Sequence, residues 1–366
     1  MRTTSFQTFR FSIIYMLTIP LAFMIPPLIN TSGYQGWIAM LIGGAVNVVL
    51  IICTYFVGKL ASTSGKSWIV YGEQIAGKWG HRAVLLLLSF WSTYYVSLDM
   101  EQFTLFYGSI YMRDTPPWFI LLLIGLVIMI TARWGFSTLI YIADGTFILI
   151  LIGVLFLLLL FIGDADYQML PALVTHRNFN NLFTDVISVI SWIGEWFIFL
   201  FLLPHLNFDK KMLRNLLLAN TTVTVTVLLT WLLVLLNFGV HYGSQVKYPI
   251  LQLIRGNSFT GLLGNADPLF IGIWAISMII HDAFLVYVGV ACLGHLFKFK
   301  ETRPLISILA GTATVAAFQY SQNTTQHQKD ISELGFITFW VIINSIPLYY
   351  LLLALVRGKF RRKKST

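Results

Sequence analysis

Charge is scarce in this sequence of 366 residues: Asp, Glu, Lys and Arg make up 11% of it, and there are only two cysteines. Soluble globular domains carry about 25% charged residues, so this composition excludes that class. Cys53 and Cys292 lie inside apolar runs, without CxxC or other metal-ligand spacing. HExxH and GxSxG motifs are absent as well. We therefore expect no enzymatic activity, no cofactor and no metal site.

Apolar residues dominate instead, at 57% of the chain, and aromatic residues reach 15%. With a mean hydropathy of +0.77, the chain is predicted to be an all-α polytopic membrane protein in a lipid bilayer. It forms a single transmembrane domain over residues 1–366. About ten transmembrane helices are predicted, over residues 11–29, 36–58, 83–108, 117–133, 138–162, 184–206, 216–239, 268–293, 304–322 and 335–356.

The basic residues set the orientation. With both termini cytoplasmic, the inner loops, the N-terminus and the basic tail 357–366 hold 19 of the 24 Lys and Arg residues. This split follows the positive-inside rule. The net charge of +9 therefore reports topology, and no nucleic-acid partner is expected. No small-residue cleavage site follows Arg2 and Arg10, so no signal peptide is expected.

The stretch 183–206 (FTDVISVISWIGEWFIFLFLLPHL), which contains the sixth predicted span, holds Gly194 and Glu195 between Trp192 and Trp196. Glu195 would lie near the membrane midplane, where an unpaired carboxylate costs at least about 2.5–3.5 kcal/mol. The glycine marks a place where the helix can break. Glu195 is either a protonated structural residue bonded to a neighbouring helix or part of a ligand or proton site. We predict that Glu195→Gln folds and alters the ligand response or its pH dependence.

The first predicted span contains a proline in its middle, so it is expected to break near Thr18, Ile19 and Pro20. Spans one and six open two halves of opposite topology, about residues 6–165 and 180–356. Paired broken helices in inverted halves indicate a transporter-type site at the midplane. Ordinary proline kinks are the alternative. If the site exists, both breaks face one cavity.

Other polar residues inside spans are weaker candidates. Helical spacing places Tyr94 with Ser97 and Glu101 on one stripe of span three. A second stripe holds Tyr95, Asp99 and Gln102, and both acidic residues are expected near the outer interface.

Further along the chain, Asp144 could pair with Arg133 or line a cavity. His281 and Asp282 lie at midplane depth in span eight, as a structural pair or as part of the site. Residues 247–268 are too short and too rich in glycine to span, and are predicted to form a lid that bears Arg255 and Asp267.

Several of these stretches resemble the B subunit of spore germinant receptors, the GerAB-like family of the amino acid–polyamine–organocation superfamily. They are Ile25-Pro26, GKSWIVYGEQIAGKWG, SWIGEWFIFLFLLPHL, Tyr248-Pro249 with Leu251 and Arg255, and Asp267 before PLFIGIWAISMII. The resemblance implies a LeuT-like 5+5 inverted repeat with broken helices 1 and 6. It also implies an amino-acid ligand, A- and C-type partner subunits and a place in the inner membrane of a spore.

Two departures from that pattern concern the site. Relatives often have glycines where this chain has Thr18, Ile19 and Pro20, and an acidic-basic pair where it has Gly264-Asn265. We interpret the chain as a germinant-sensing subunit, and the alternative is a proton-coupled amino-acid transporter. No Lys or Arg lies deep in a span, so backbone N–H groups are expected to bind the ligand carboxylate. Glu195 would receive its ammonium group, which favours a small neutral amino acid.

Overall fold

The computed structural model describes residues 4–176, 180–202, 210–256, 267–325, 327, 329 and 334–359, with only the backbone at 18, 19 and 22. The described residues form helices and contain no β-strand. The α-helices are α1 (Ser5–Ile19), α2 (Ile25–Ser32), α3 (Gly36–Thr63), α4 (Trp68–Ala76), α5 (Lys78–Ile110), α6 (Pro117–Arg133), α7 (Phe136–Ile162), α8 (Ala172–Thr175), α9 (Leu182–Ile193), α10 (Lys210–Gln245), α11 (Pro249–Gly256), α12 (Asp267–Phe297), α13 (Arg303–Ser321), α14 (Leu334–Asn344) and α15 (Ile346–Val356).

Every predicted span corresponds to a helix or to a helix with its continuation. Six helical runs among the described residues are long and apolar enough to cross a membrane, and the bent pair α14 and α15 makes a seventh. Of the other three predicted spans, the first is broken, and its second part, α2, is continuous with the run of α3. Helix α6 is only 17 residues long, and α13 is polar at one end. The chain is thus a multi-pass helical membrane protein.

Both expected breaks are present. In span one, a π-helical segment over Pro20–Met24 separates α1 from α2, as expected where proline removes a backbone donor. In span six, α9 ends at Ile193, and a 3₁₀ segment over Glu195–Leu202 continues the chain after Gly194. The closing residue of that predicted span, Pro204, lies outside the described residues.

Helix α12 occupies the middle of the fold, where it packs against α1, α5, α6 and α7. On the other side, α3 packs against α9, α10 and α15. Helix α10 changes direction at Gly239, where a φ of 68° favours glycine because a Cβ would be strained. The four elements α1, α5, α12 and the break after α9 therefore meet at the centre. The inverted relation between residues 6–165 and 180–356 stays a prediction.

Candidate functional site

The break after α9 exposes carbonyl groups that a continuous helix would bond internally. Asn344 Nδ2 donates to the carbonyls of Ile190 at 2.9 Å and Ser191 at 3.3 Å. Asn47 Nδ2 donates to the carbonyl of Ile193 at 3.1 Å. A Cβ on Gly194 would lie 2.7 Å from Asn344 Nδ2, so only glycine fits there. Two buried asparagines from other helices therefore hold the broken segment in place.

We expect Asn344→Ala to lower the free energy of unfolding by about 1–3 kcal/mol, because two buried carbonyls lose their donor. Thermal unfolding of the purified protein in detergent measures this. Thr312→Ala is the control, since that exposed hydroxyl bonds the Ile308 carbonyl within its own helix, and it should change stability by less than about 0.5 kcal/mol. Equal effects would contradict the role given to Asn344.

A cavity of about 570 Å³ lies between α2, which follows the break in span one, and α9, which precedes the break in span six. Its walls come from α2 with Phe23, from α5, α9 and α14, and from residues 244–247. Its polar lining includes Asp99, Gln102, Thr31, Asp185, Ser188 and Lys247. This size is within the range of small-molecule sites, about 300–1,000 Å³.

The two broken spans are bonded to each other at this cavity. The Asp185 carboxylate, in the first turn of α9, accepts hydrogen bonds from Thr31 Oγ1 at 2.5 Å and from Ser32 Oγ. Both donors belong to the end of α2. An acidic residue is also favoured at a helix N-terminus by the helix dipole. Asp185 thus fixes the distance between two walls of the cavity.

Below the cavity, four buried titratable side chains surround His281. His281 Nδ1 lies 3.1 Å from Asp99 Oδ2 and 3.5 Å from Asp282 Oδ1, and His281 Nε2 lies 3.4 Å from Glu195 Oε2. Glu195 Oε2 also accepts a hydrogen bond from the Tyr15 hydroxyl at 2.8 Å. We call Asp99, His281, Asp282, Glu195 and Tyr15 the central cluster. Because Asp99 also lines the cavity, the cluster forms part of the cavity floor.

The structure brings some of the predicted site residues together and separates others. Tyr95 and Trp192 line the cavity, whereas Glu195, His281 and Asp282 lie in the central cluster. Gly194 packs on Asn344.

The remaining predicted residues lie elsewhere. Tyr94 packs on Trp340 and Phe336, and Trp196 stacks on Phe199, so neither lines the cavity. Pro20 is buried within the break. The side chains of Thr18 and Ile19 are outside the described residues, and so is Gly264-Asn265.

The structure shows the surroundings of three acidic residues. Asp99 and Glu101, which are predicted near the outer interface, are buried inside the protein, with 4% and 0% of their surface exposed. Glu101 Oε2 lies 3.1 Å from His327 Nε2. Asp144 pairs with Arg10 at 2.5 Å and not with Arg133, which donates to Ser307. The first span reaches Asp144 because α1 packs against α7.

Sequence reasoning also missed residues that build the site. Tyr15 and Asn344 were not considered, because a tyrosine or an asparagine in an apolar helix is common and carries no spacing signal. Lys247 lies at the end of a span, yet it lines the cavity. A cation is therefore present for a ligand carboxylate. Although Lys247 is exposed at the cavity mouth, partial desolvation lowers its pKa from the usual value, and the nearby Glu101 only partly offsets this.

The predicted lid contains α11, and an ion pair joins Arg255 in this helix to Asp267. Arg255 Nη2 lies 2.6 Å from Asp267 Oδ2, which also accepts from the Tyr111 hydroxyl at 2.6 Å. Burial and the Asp267 carboxylate raise the pKa of Tyr111 to about 12, so this hydroxyl remains a donor at neutral pH. The Tyr248 ring packs on Phe106 with centroids 5.0 Å apart. These contacts fasten the segment to the end of α5.

The chain matches the family described as spore germination protein over residues 2–326. It is 24% identical to spore germination protein XB of Bacillus anthracis over 294 residues, which cover 78% of this chain and 79% of the relative.

Solved transporters share the fold. The structure of MhsT in complex with L-phenylalanine superposes with a TM-score of 0.73 at 12% identity, covering 98% of this chain and 89% of MhsT. The outward-open, substrate-bound Na⁺-coupled sialic acid symporter gives a TM-score of 0.67 at 10% identity, covering 98% and 90%. At such identities the likeness establishes the fold, which is LeuT-like, and nothing about the ligand.

Proposed function

The chain belongs to the spore germination protein family, and we propose that it senses a germinant by binding a small neutral amino acid in the cavity between its broken spans. Its membership and fold make it a germination-related membrane protein with a transporter-like architecture. In this role the chain binds its ligand and signals as a receptor, without catalysing a reaction. The observation that carries it is the cavity of about 570 Å³ with Asp99 and Lys247 in its lining.

A zwitterion fits this lining because the cavity offers one group for each of its charges. Asp99 can accept the ammonium group, and the Lys247 ammonium can pair with the ligand carboxylate. Lys247 takes over part of the anion binding that the sequence assigned to backbone N–H groups. Glu195 is bonded to Tyr15 beneath the cavity, so Asp99 replaces it as the proposed ammonium partner.

The rest of the lining favours an uncharged side chain. Tyr95, Trp192, Trp340 and Phe23 contribute aromatic surface to the cavity. An acidic ligand would place its second carboxylate near Asp99 or Asp185, whereas an apolar side chain packs on the aromatic surface. The volume also accommodates side chains larger than that of alanine, and the structurally similar MhsT was solved with L-phenylalanine.

Calorimetry on the purified protein tests the ligand. We expect a neutral amino acid to bind, and both Asp99→Asn and Lys247→Gln to weaken binding by at least about tenfold, or about 1.4 kcal/mol. Lys66→Gln removes the same charge from an exposed turn and should leave affinity unchanged. Binding of glutamate or a sugar, with no neutral amino acid bound, would contradict the proposal.

The alternative is net transport of an amino acid coupled to protons. Uptake of a labelled neutral amino acid into proteoliposomes distinguishes the two, because a receptor binds without accumulating its ligand. For the receptor we further propose A- and C-type partner subunits, a place in the spore inner membrane and cytoplasmic termini. Co-purification of those subunits with the tagged protein tests the assembly, and labelling of engineered cysteines in the loops tests the orientation.

A further inference from the structure

The central cluster holds more negative charge than its one histidine can balance. Asp99, Glu195 and Asp282 are 4%, 2% and 0% exposed, and His281 is 1% exposed. Even with a protonated His281, three carboxylates leave two uncompensated charges inside the membrane domain, which is too costly to persist. No Lys or Arg lies among the ion-pair partners of the cluster in the described part of the chain. The excess charge must therefore be balanced, either by protons on the carboxyl groups or by a bound cation.

We propose that Asp99, His281 and Asp282 bind a divalent transition-metal ion of the Zn²⁺ type. Their ligand atoms all lie within 4.8 Å of one another. Two atoms bound to tetrahedral Zn²⁺ at about 2.0–2.1 Å are about 3.3–3.5 Å apart. The distances from His281 Nδ1 to the two aspartate oxygens are 3.1 and 3.5 Å. An imidazole nitrogen and two carboxylate oxygens form a suitable ligand set for such an ion.

The surroundings of His281 also fit a metal ligand. A histidine that binds metal through one ring nitrogen commonly donates the other N–H to a carboxylate. Here Nε2 faces Glu195 at 3.4 Å, and Tyr15 donates to the same carboxylate oxygen. With a metal on Nδ1, the imidazole is neutral, Nε2 carries the hydrogen, and the ion balances the two aspartates.

A second observation points to a bound cation. Asp282 Oδ2 is buried and, unless a proton or a cation lies between Asp282 and Asp99, has no hydrogen-bond donor among the residues that the structure describes. His281 Nδ1 carries at most one hydrogen, so it cannot donate fully to both aspartates, whereas one metal ion can bind all three groups. The cavity gives an ion access, because Asp99 belongs both to the cavity wall and to the proposed ligand set. The fourth position of the metal would take water from that side.

The proposed ion shares Asp99 with the proposed amino-acid site, so its test uses the metal alone, with no amino acid present. The purified full-length protein is stripped with a chelator and titrated with Co²⁺, whose visible absorption reports tetrahedral coordination, and with Zn²⁺ by calorimetry. We expect one ion per chain. Asp282→Asn should abolish saturable binding, and Glu195→Gln should weaken it by about 10–100-fold, as for other residues that orient a ligand. Asp144→Asn is the control, because it changes a carboxylate outside the central cluster that is paired with Arg10. This variant should bind the metal as the parent protein does.

Thermal unfolding with and without Zn²⁺ provides a second measurement that needs no variant. An ion that binds only the folded protein raises its unfolding temperature, and the shift grows with the free ion concentration. If Asp282→Asn does not fold, the rise in unfolding temperature with Zn²⁺ in the parent protein, and a smaller rise in Glu195→Gln, decide whether the ion binds. Absence of one-to-one binding, or equal binding by the parent and a folded Asp282→Asn, would overturn the proposal and leave protons to balance the charge. Amino-acid binding is titrated separately, so that outcome would not by itself contradict the amino-acid proposal.

Discussion

Glu195→Leu is expected to lower the free energy of unfolding by about 2–4 kcal/mol, while Glu195→Gln changes it by less than about 1 kcal/mol. Glu195 is 2% exposed and accepts from Tyr15 at 2.8 Å, with His281 Nε2 3.4 Å away. Leucine leaves both groups without an acceptor inside the membrane domain. Glutamine retains an amide oxygen that can accept from Tyr15. Thermal and denaturant unfolding of the three proteins in one detergent measures the difference.

Tyr15→Phe provides the matched comparison for this pair. It removes the hydroxyl and leaves Glu195 with His281 alone, so part of the loss in Glu195→Leu should already be present in Tyr15→Phe. If Glu195→Leu and Glu195→Gln were equally stable, the carboxylate would not be needed as an acceptor. The double variant Tyr15→Phe/Glu195→Leu should cost less than the sum of the single changes, because one bond is counted in both.

The broken spans could be predicted because their cause is local. A proline without a backbone donor disrupts α1 at Pro20, and Gly194 accommodates a sharp change of direction where any Cβ would meet Asn344. The stripe of Tyr95, Asp99 and Gln102 is also a property of one helix. All three residues line the same cavity.

The partners of those residues could not be predicted, because they come from other helices. Asp99 was placed near the interface by its distance along α5, but the axial position of a residue does not give its burial. In the fold, His281 lies 3.1 Å from Asp99. Tyr248 packs on Phe106 farther along α5. The ion pair of Asp144 with Arg10 escaped prediction for the same reason, since it depends on how α1 crosses α7.

The sequence shows no metal-ligand spacing, because such spacing detects only ligands that lie close together in the chain. His281 and Asp282 are adjacent, but Asp99 is contributed by a different helix, so no linear motif joins the three. The place of Lys247 in the cavity lining also depends on tertiary structure, because α10 changes direction at Gly239 before the chain reaches the cavity. A sequence identifies which polar residues are costly in a membrane more readily than it identifies their neighbours.

Loss of the carboxylate at Asp185 should affect both stability and ligand binding. Asp185→Ala removes the acceptor for Thr31 and Ser32, and hydrogen bonds to a charged group contribute about 1.5–3 kcal/mol each. Bonds between membrane helices are commonly weaker, about 0.6–1.7 kcal/mol, so we expect a total loss of about 2–4 kcal/mol. Asp185→Asn retains one acceptor oxygen and should lose about half as much.

Ligand affinity should fall in parallel, because Asp185 holds the α2 and α9 walls of the cavity at a fixed separation. We expect Asp185→Ala to weaken amino-acid binding by at least about tenfold, about 1.4 kcal/mol, measured by calorimetry on folded protein. Ser188→Ala changes the same wall of the cavity without removing a bond to α2 and should bind nearly as the parent does. A double-variant cycle combines Asp185→Ala with Thr31→Val. If the bond between these two residues sets the affinity, the double variant loses less affinity than the sum of the two single variants. Additive losses, or a normal affinity in Asp185→Ala, would show that the cavity keeps its shape without this bond.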